Sequence, residues 1–89
     1  MVTVTFAKAF RRHVDCPDED VDGDHVGAAL VAYFERHPAT RTYVLDDEGN
    51  VRKHVTVFVG SEQVDHGRAL TAAVPDGSSV SLFQALSGG

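Results

Sequence analysis

Eighty-nine residues leave room for one domain, and an apolar content of 43% can build a small core without the composition of a disordered chain. Eight glycines and three prolines are too few for a collagenous or linker-like sequence. Thirteen Asp/Glu against eight Lys/Arg give a formal net charge of −5, which argues against binding a phosphate backbone and suits a partner with a basic face.

Val2, Val4 and Phe6 alternate with Thr3 and Thr5, the period of a half-buried strand, expected over residues 2–10. The stretch does not read as a secretory leader, because Lys8, Arg11 and Arg12 follow the apolar residues instead of preceding them. The longest nearly apolar run, Val26 to Phe34, is about half of the ~20 residues that span a bilayer. A soluble, cytoplasmic chain with no membrane partner is therefore expected. A second, weaker strand is expected over residues 11–16, through Val14. The acidic run that follows (Asp15, Asp18, Glu19, Asp20, Asp22 and Asp24, with Pro17 and Gly23) reads as a solvated loop. It lacks the ordered ligand spacing and closing glutamate of a calcium loop.

Val26, Ala29, Leu30, Tyr33, Phe34 and His37 recur at helical spacing and predict an amphipathic helix, with Asp24 as its N-cap and Pro38 stopping it after His37. A short extended piece is expected at Tyr43–Leu45, then a turn over residues 46–50. Residues 51–59 alternate most clearly of all; with Val55, Val57 and Val59 facing the helix, Phe58 points outward and calls for a covering neighbour. A turn at Gly60–Glu62, a short strand at Gln63–Asp65, a loop carrying Leu70 and Val74, and a turn at Pro75-Asp76-Gly77-Ser78 lead to a last strand, Ser79–Phe83, with Val80 and Leu82 on one face. The sum is an α+β fold: a four- to five-stranded sheet with one main helix packed on one face.

Motifs of phosphate loops, zinc proteases, serine hydrolases and dithiol redox centres are missing. The five histidines show no ligand spacing, so no metal site is expected. Cys16 is alone, which excludes an internal disulfide and favours a reducing compartment; in an acidic loop its thiol would be poorly reactive. What stands out is the end: Phe83-Gln84-Ala85-Leu86-Ser87-Gly88-Gly89. Two terminal glycines are costly to order, so stability does not explain them. Without Cβ atoms they fit a narrow channel, and six extended residues reach about 20 Å, far enough to enter another protein's active site.

These features together resemble the ubiquitin-like sulfur carriers: the small subunit of molybdopterin synthase, the thiamin sulfur carrier and the cysteine-biosynthesis sulfur carrier. The likeness rests on His54-Val55-Thr56-Val57-Phe58-Val59-Gly60, on Pro75-Asp76-Gly77-Ser78-Ser79-Val80, on the residues from Ser81 to Gly89, and on the helix from Val26 to His37-Pro38. The resemblance implies a β-grasp domain over residues 1–83 and a flexible tail over 84–89. It also implies that a ubiquitin-activating-enzyme-like (E1-like) adenylyltransferase uses ATP and magnesium to adenylate the Gly89 carboxylate. Sulfur then displaces the adenylate, leaving a thiocarboxylate for an acceptor biosynthetic enzyme. The chain itself would be a carrier substrate or small subunit, not an enzyme, with no bound cofactor. Gly88, Ser87 and Leu86 would line the tail, and Phe83 and Phe58 the partner surface. Gln84 and Ala85 replace prolines common in the molybdopterin branch, and Gly60 replaces a frequent Asn, which speaks against that branch; the spacing from His54 to Val64 and the turn Asp76-Gly77-Ser78-Ser79-Val80 resemble the cysteine-biosynthesis type more closely. The same terminus could alternatively be joined to lysines, as in a protein modifier.

Overall fold

The computed structural model describes residues 1–84. Five strands form one mixed sheet, β1 (Val2–Phe6), β2 (Glu19–Val21), β3 (Val55–Val59), β4 (Glu62–Gln63) and β5 (Ser79–Gln84), in the order β2-β1-β5-β3-β4. β1 and β5 run parallel in the centre, and the other neighbours are antiparallel. Helix α2 (Val26–Arg36) covers one face, giving the β-grasp arrangement. Short helices α1 (Lys8–Arg11) and α3 (Arg41–Val44) and two 3₁₀ segments, Pro38–Thr40 and His66–Thr71, fill the connections.

The core follows from the two periodicities. From α2, Val26, Ala29, Leu30, Tyr33 and Phe34 are buried, and they meet Val2, Val4 and Phe6 of β1, Val80 and Leu82 of β5, and Val55 and Val57 of β3. The Tyr33 hydroxyl is satisfied by the Pro17 carbonyl at 2.7 Å. The loop entering α2 must pass tightly: a Cβ on Gly23 would stand 2.7 Å from the Ala29 amide nitrogen, so a side chain there would push on helix backbone. Gly60 (φ +60°) and Gly77 (φ +83°) turn the chain in the left-handed region. Asn also tolerates that region, so Gly60 in place of Asn leaves the turn intact.

Several expectations are corrected. The first strand stops at Phe6 rather than at residue 10. A continued strand would have put Lys8 on the same face as Phe6. The helical turn of α1 instead drops Phe10 into the core, edge-on to Phe6 at 5.4 Å, and leaves Lys8 exposed. No strand occupies residues 11–16; the second strand lies inside the acidic run, where Val21 is buried and Asp20 faces outward to bond Thr3. His25, not Asp24, is the N-cap of α2. The Asp24 carboxylate bonds the His25 ring while its carbonyl takes the Val74 amide. Of residues 43–45 only Leu45 is extended: α3 takes in Tyr43, which turns outward, and ends at Val44, which is buried. Val51 makes only a single bridge to Leu45, and a turn through Lys53 and His54 delays β3 to Val55. The short strand is Glu62–Gln63, and Leu70 belongs to a 3₁₀ segment.

Candidate functional site

β5 is the central strand on which the candidate site is built. It is hydrogen-bonded along both edges, with Phe6 paired to Leu82 on one side and Val55 to Gln84 on the other. Val80 and Leu82 are wholly buried against the helix layer. A strand fixed in this way has no slack in register up to Leu82, and β3 alone guides it from there to Gln84. β5 runs through Gln84, one residue beyond the expected Phe83. Ala85, Leu86, Ser87, Gly88 and Gly89 lie outside the described residues.

The sheet face away from α2 carries the alternate residues. Thr56 stands opposite Phe83, and Phe58 opposite Ser81, so the two phenylalanines are diagonal neighbours. Their rings meet edge-on at 5.3 Å and 74°. Phe58 is half-buried beneath this contact, and Phe83 remains 44% exposed. The covering neighbour that Phe58 called for is thus another candidate site residue. The pair is worth about 0.5–1.5 kcal/mol beyond simple burial, yet it leaves apolar ring surface facing water. Towards β1 the same face turns polar, with Thr5 donating to Ser81 at 3.1 Å and Thr3 to Asp20 at 2.7 Å. The apolar patch is confined to the end of the sheet from which β5 leaves. Thr56, opposite Phe83, had no signal in the sequence beyond its place in the alternation.

The other groups weighed from the sequence are occupied elsewhere. Cys16 is buried, and desolvation, more than the carboxylates nearby, pushes its thiol up from its ordinary value; Arg11 pulls the other way. Burial likewise pushes the Tyr33 hydroxyl well up. The acidic run disperses among separate partners: Asp18 pairs with Arg11 at 2.9 Å and Asp24 with His25 at 2.6 Å. Glu19 takes His37 at 2.7 Å and Arg36 at 3.1 Å, and these bonds hold its carboxyl below the ordinary range. Among the described residues no three His, Cys, Asp or Glu side chains gather as metal ligands, and no helix is long and apolar enough to cross a membrane.

No family model matches the chain. It is 39% identical over 71 residues to small archaeal modifier protein 1 of Haloferax volcanii, covering 79% of this chain and 77% of that one. The crystal structure of that protein superposes with a TM-score of 0.76 at 30% identity, over 99% of this chain and 98% of the other. CysO of Mycobacterium tuberculosis superposes at 0.81 with 25% identity, over 97% and 100% of the two chains. CysO of Amycolatopsis orientalis, solved in complex with BexX, superposes at 0.83 over the full length of both chains. At 24% identity, that match bears on the fold alone.

Proposed function

Because the chain belongs to the ubiquitin-like β-grasp family of sulfur carriers and small modifiers, we propose that it is a sulfur carrier whose working group is the Gly89 carboxylate. A carboxylate is a poor electrophile until one oxygen becomes part of a good leaving group. In this reading a carboxylate oxygen attacks the α-phosphorus of ATP on an E1-like adenylyltransferase, magnesium-bound pyrophosphate departs, and an acyl-adenylate forms. A sulfur nucleophile from a donor then attacks the carbonyl carbon, and the carbon–oxygen bond to AMP breaks. With a sulfide-level nucleophile (hydrosulfide), AMP carries away the electron pair of that bond, the sulfur loses its proton, and a thiocarboxylate remains for an acceptor biosynthetic enzyme. ATP and magnesium belong to the partner, and the carrier contributes the reacting terminus. It serves as substrate, or as the small subunit of a sulfur-transfer complex, in the cytoplasm where ATP is at hand.

The observation that carries this reading is the central position of β5, bonded on both edges up to Leu82, held by β3 through Gln84, and flanked by the Phe58–Phe83 patch. A rigid strand gives a terminus a fixed origin, and an exposed aromatic beside it gives a partner something to grip. Leu86, Ser87 and Gly88 would thread the partner's channel, with the two terminal glycines presenting no side chain to its walls. The name of the 39% identical relative favours a second reading, in which the activated Gly89 is passed to lysines of other proteins. Incubation of the chain with its cognate adenylyltransferase and ATP is expected to release pyrophosphate in proportion to the carrier added. No carrier-dependent release would contradict activation. Ladders on lysines in a cell extract, without thiocarboxylate, would support the modifier reading over the carrier.

A further inference from the structure

The charge of this chain is not spread evenly, and its distribution opposes what the net charge of −5 implies. Three segments distant in sequence converge where β5 leaves the sheet. On the β1 side, the Ala7 amide donates to the Leu82 carbonyl at 2.9 Å, so α1 starts alongside the end of β5 and brings Lys8, Arg11 and Arg12. On the β3 side, Val55 pairs with Gln84, which sets the exposed Arg52, Lys53 and His54 against the other flank. α3 closes the gap. Its Thr42 carbonyl accepts the Arg52 Nε at 2.7 Å, Arg41 precedes it, and Tyr43 stacks on His13 just after α1. Six of the eight Lys and Arg residues stand at this end.

Of these six, Arg11 is paired with Asp18, whereas Lys8, Arg12, Arg41, Arg52 and Lys53 reach no carboxylate at ion-pair distance among the described residues. Asp46 shares a small groove of about 230 Å³ with Arg52, Lys53 and His54, but one of its oxygens is held by the Glu48 and Asn50 amides of its own turn. Five acids stand at the opposite end: Asp20 and Asp22 on and after β2, Asp24 beside Val74, Glu62 on β4, and Asp76 in the turn before β5, paired with the Met1 amine; Asp15 and Asp18 after α1, and Asp47 and Glu48 in the turn between α3 and Arg52, adjoin the cations.

We infer that this cationic collar, with Lys8 and Arg12 on one flank of β5 and Arg52 and Lys53 on the other, docks against an acidic rim around the active-site mouth of the activating enzyme. The inference rests on the carrier reading, since it presumes that a terminus leaving beside Gln84 is delivered to that enzyme. Exposed charges ringing a contact steer encounter and orientation more than they add affinity, and they lose their effect in salt. An acidic protein that approached with its acidic end would present the wrong pole. The collar turns the tail toward the active site before any apolar contact forms.

The test compares two variants of equal net charge by the pyrophosphate release they support with the cognate adenylyltransferase. Arg52→Gln with Lys53→Gln neutralises one flank. Ser61→Glu with Ala73→Glu adds the same negative charge at and beside the far hairpin. The first pair is expected to raise the KM for the carrier about fivefold to tenfold at low salt with kcat unchanged, and the second to leave both unchanged. The difference should vanish near about 1 M salt, where screening acts within about 3 Å. Lys8→Gln with Arg12→Gln probes the other flank without disturbing the Arg52–Thr42 bond and is expected to act in the same direction. Unchanged KM in both collar variants, or an equal rise in the hairpin variant, overturns the inference. So does a rise in the KM for ATP instead, which would place these cations on the nucleotide. A wild-type chain that supports no release at all overturns the carrier reading itself, an outcome distinct from these.

Discussion

Deleting Gly89 is expected to lower sulfur loading at least about 100-fold while leaving the melting temperature within a degree or so of the parent. The loss follows from geometry. Each extended residue adds about 3.4 Å of reach, and the origin of the tail is fixed by the pairing of β5 on both edges. Shortening by one residue therefore withdraws the carboxylate by several times the roughly 1 Å displacement that already costs a reaction about 100-fold. Stability should not follow, because the buried residues of the helix–sheet core among the described residues, the last of them Leu82, all precede Gly89 by several positions. The comparison is made by intact-mass analysis of loading beside thermal denaturation. Loading that survives the deletion would mean that another atom carries the sulfur. A large fall in melting temperature would mean that the last residues are packed structure.

Phe83→Ala is expected to reduce the kcat/KM of activation by about 10- to 100-fold, the cost of about 1.4–3 kcal/mol typical when a central aromatic anchor is truncated. The same substitution should lower the melting temperature by only a few degrees. Phe83 is already 44% exposed, and its edge-on contact with Phe58 is worth about 0.5 kcal/mol at such an exposed site, which in a domain of this size corresponds to about 2–4 °C. Val31→Ala is the control. Val31 is more exposed than Phe83 but sits on α2, on the other side of the sheet, and its loss should not change activation. Activation of the Phe83 variant at the parental rate, or an equal loss from Val31→Ala, would show that the outer face of the sheet is not the docking surface.

Elements long enough to repeat a period could be read from the sequence, and short ones could not. The stripe from Val26 to Phe34 spans more than two helical turns, and every one of its apolar positions is buried in α2. β2 contains one buried residue, Val21, in a run of acids, and three residues are too few to show alternation. The error at residues 7–10 is instructive because Phe6 and Phe10 suit either geometry: they share a face in a strand, and they meet across a helical turn. The position of Lys8 decides between them, since a strand would have buried its ammonium. At Tyr43–Leu45 the extended reading held only for Leu45, because Tyr43 and Val44, two residues of high strand propensity, are taken into a helical turn that buries Val44.

The aromatic part of the candidate site was legible for a related reason. Alternation along β3 placed Phe58 on the outer face, and an exposed phenylalanine asks for a neighbour; the register with β5 supplies Phe83. The cationic collar was hidden because its members fall in short runs, Lys8 to Arg12 and Arg52-Lys53 with Arg41 between them, that lie some forty residues apart in a chain of net charge −5. Parallel pairing of β1 with β5, antiparallel pairing of β3 with β5, and the Arg52 bond to Thr42 bring them to one end. Topology, and not composition, sets the electrostatic sign of the working end.

The most direct measurement is the intact mass of this chain after incubation with its cognate adenylyltransferase, ATP, magnesium and a sulfur donor. A shift equal to one oxygen replaced by one sulfur, localised by fragmentation to Gly89 and absent without ATP, is the expected result. An unaltered mass under conditions in which the enzyme adenylates a known carrier, or a sulfur adduct localised to Cys16, would contradict it.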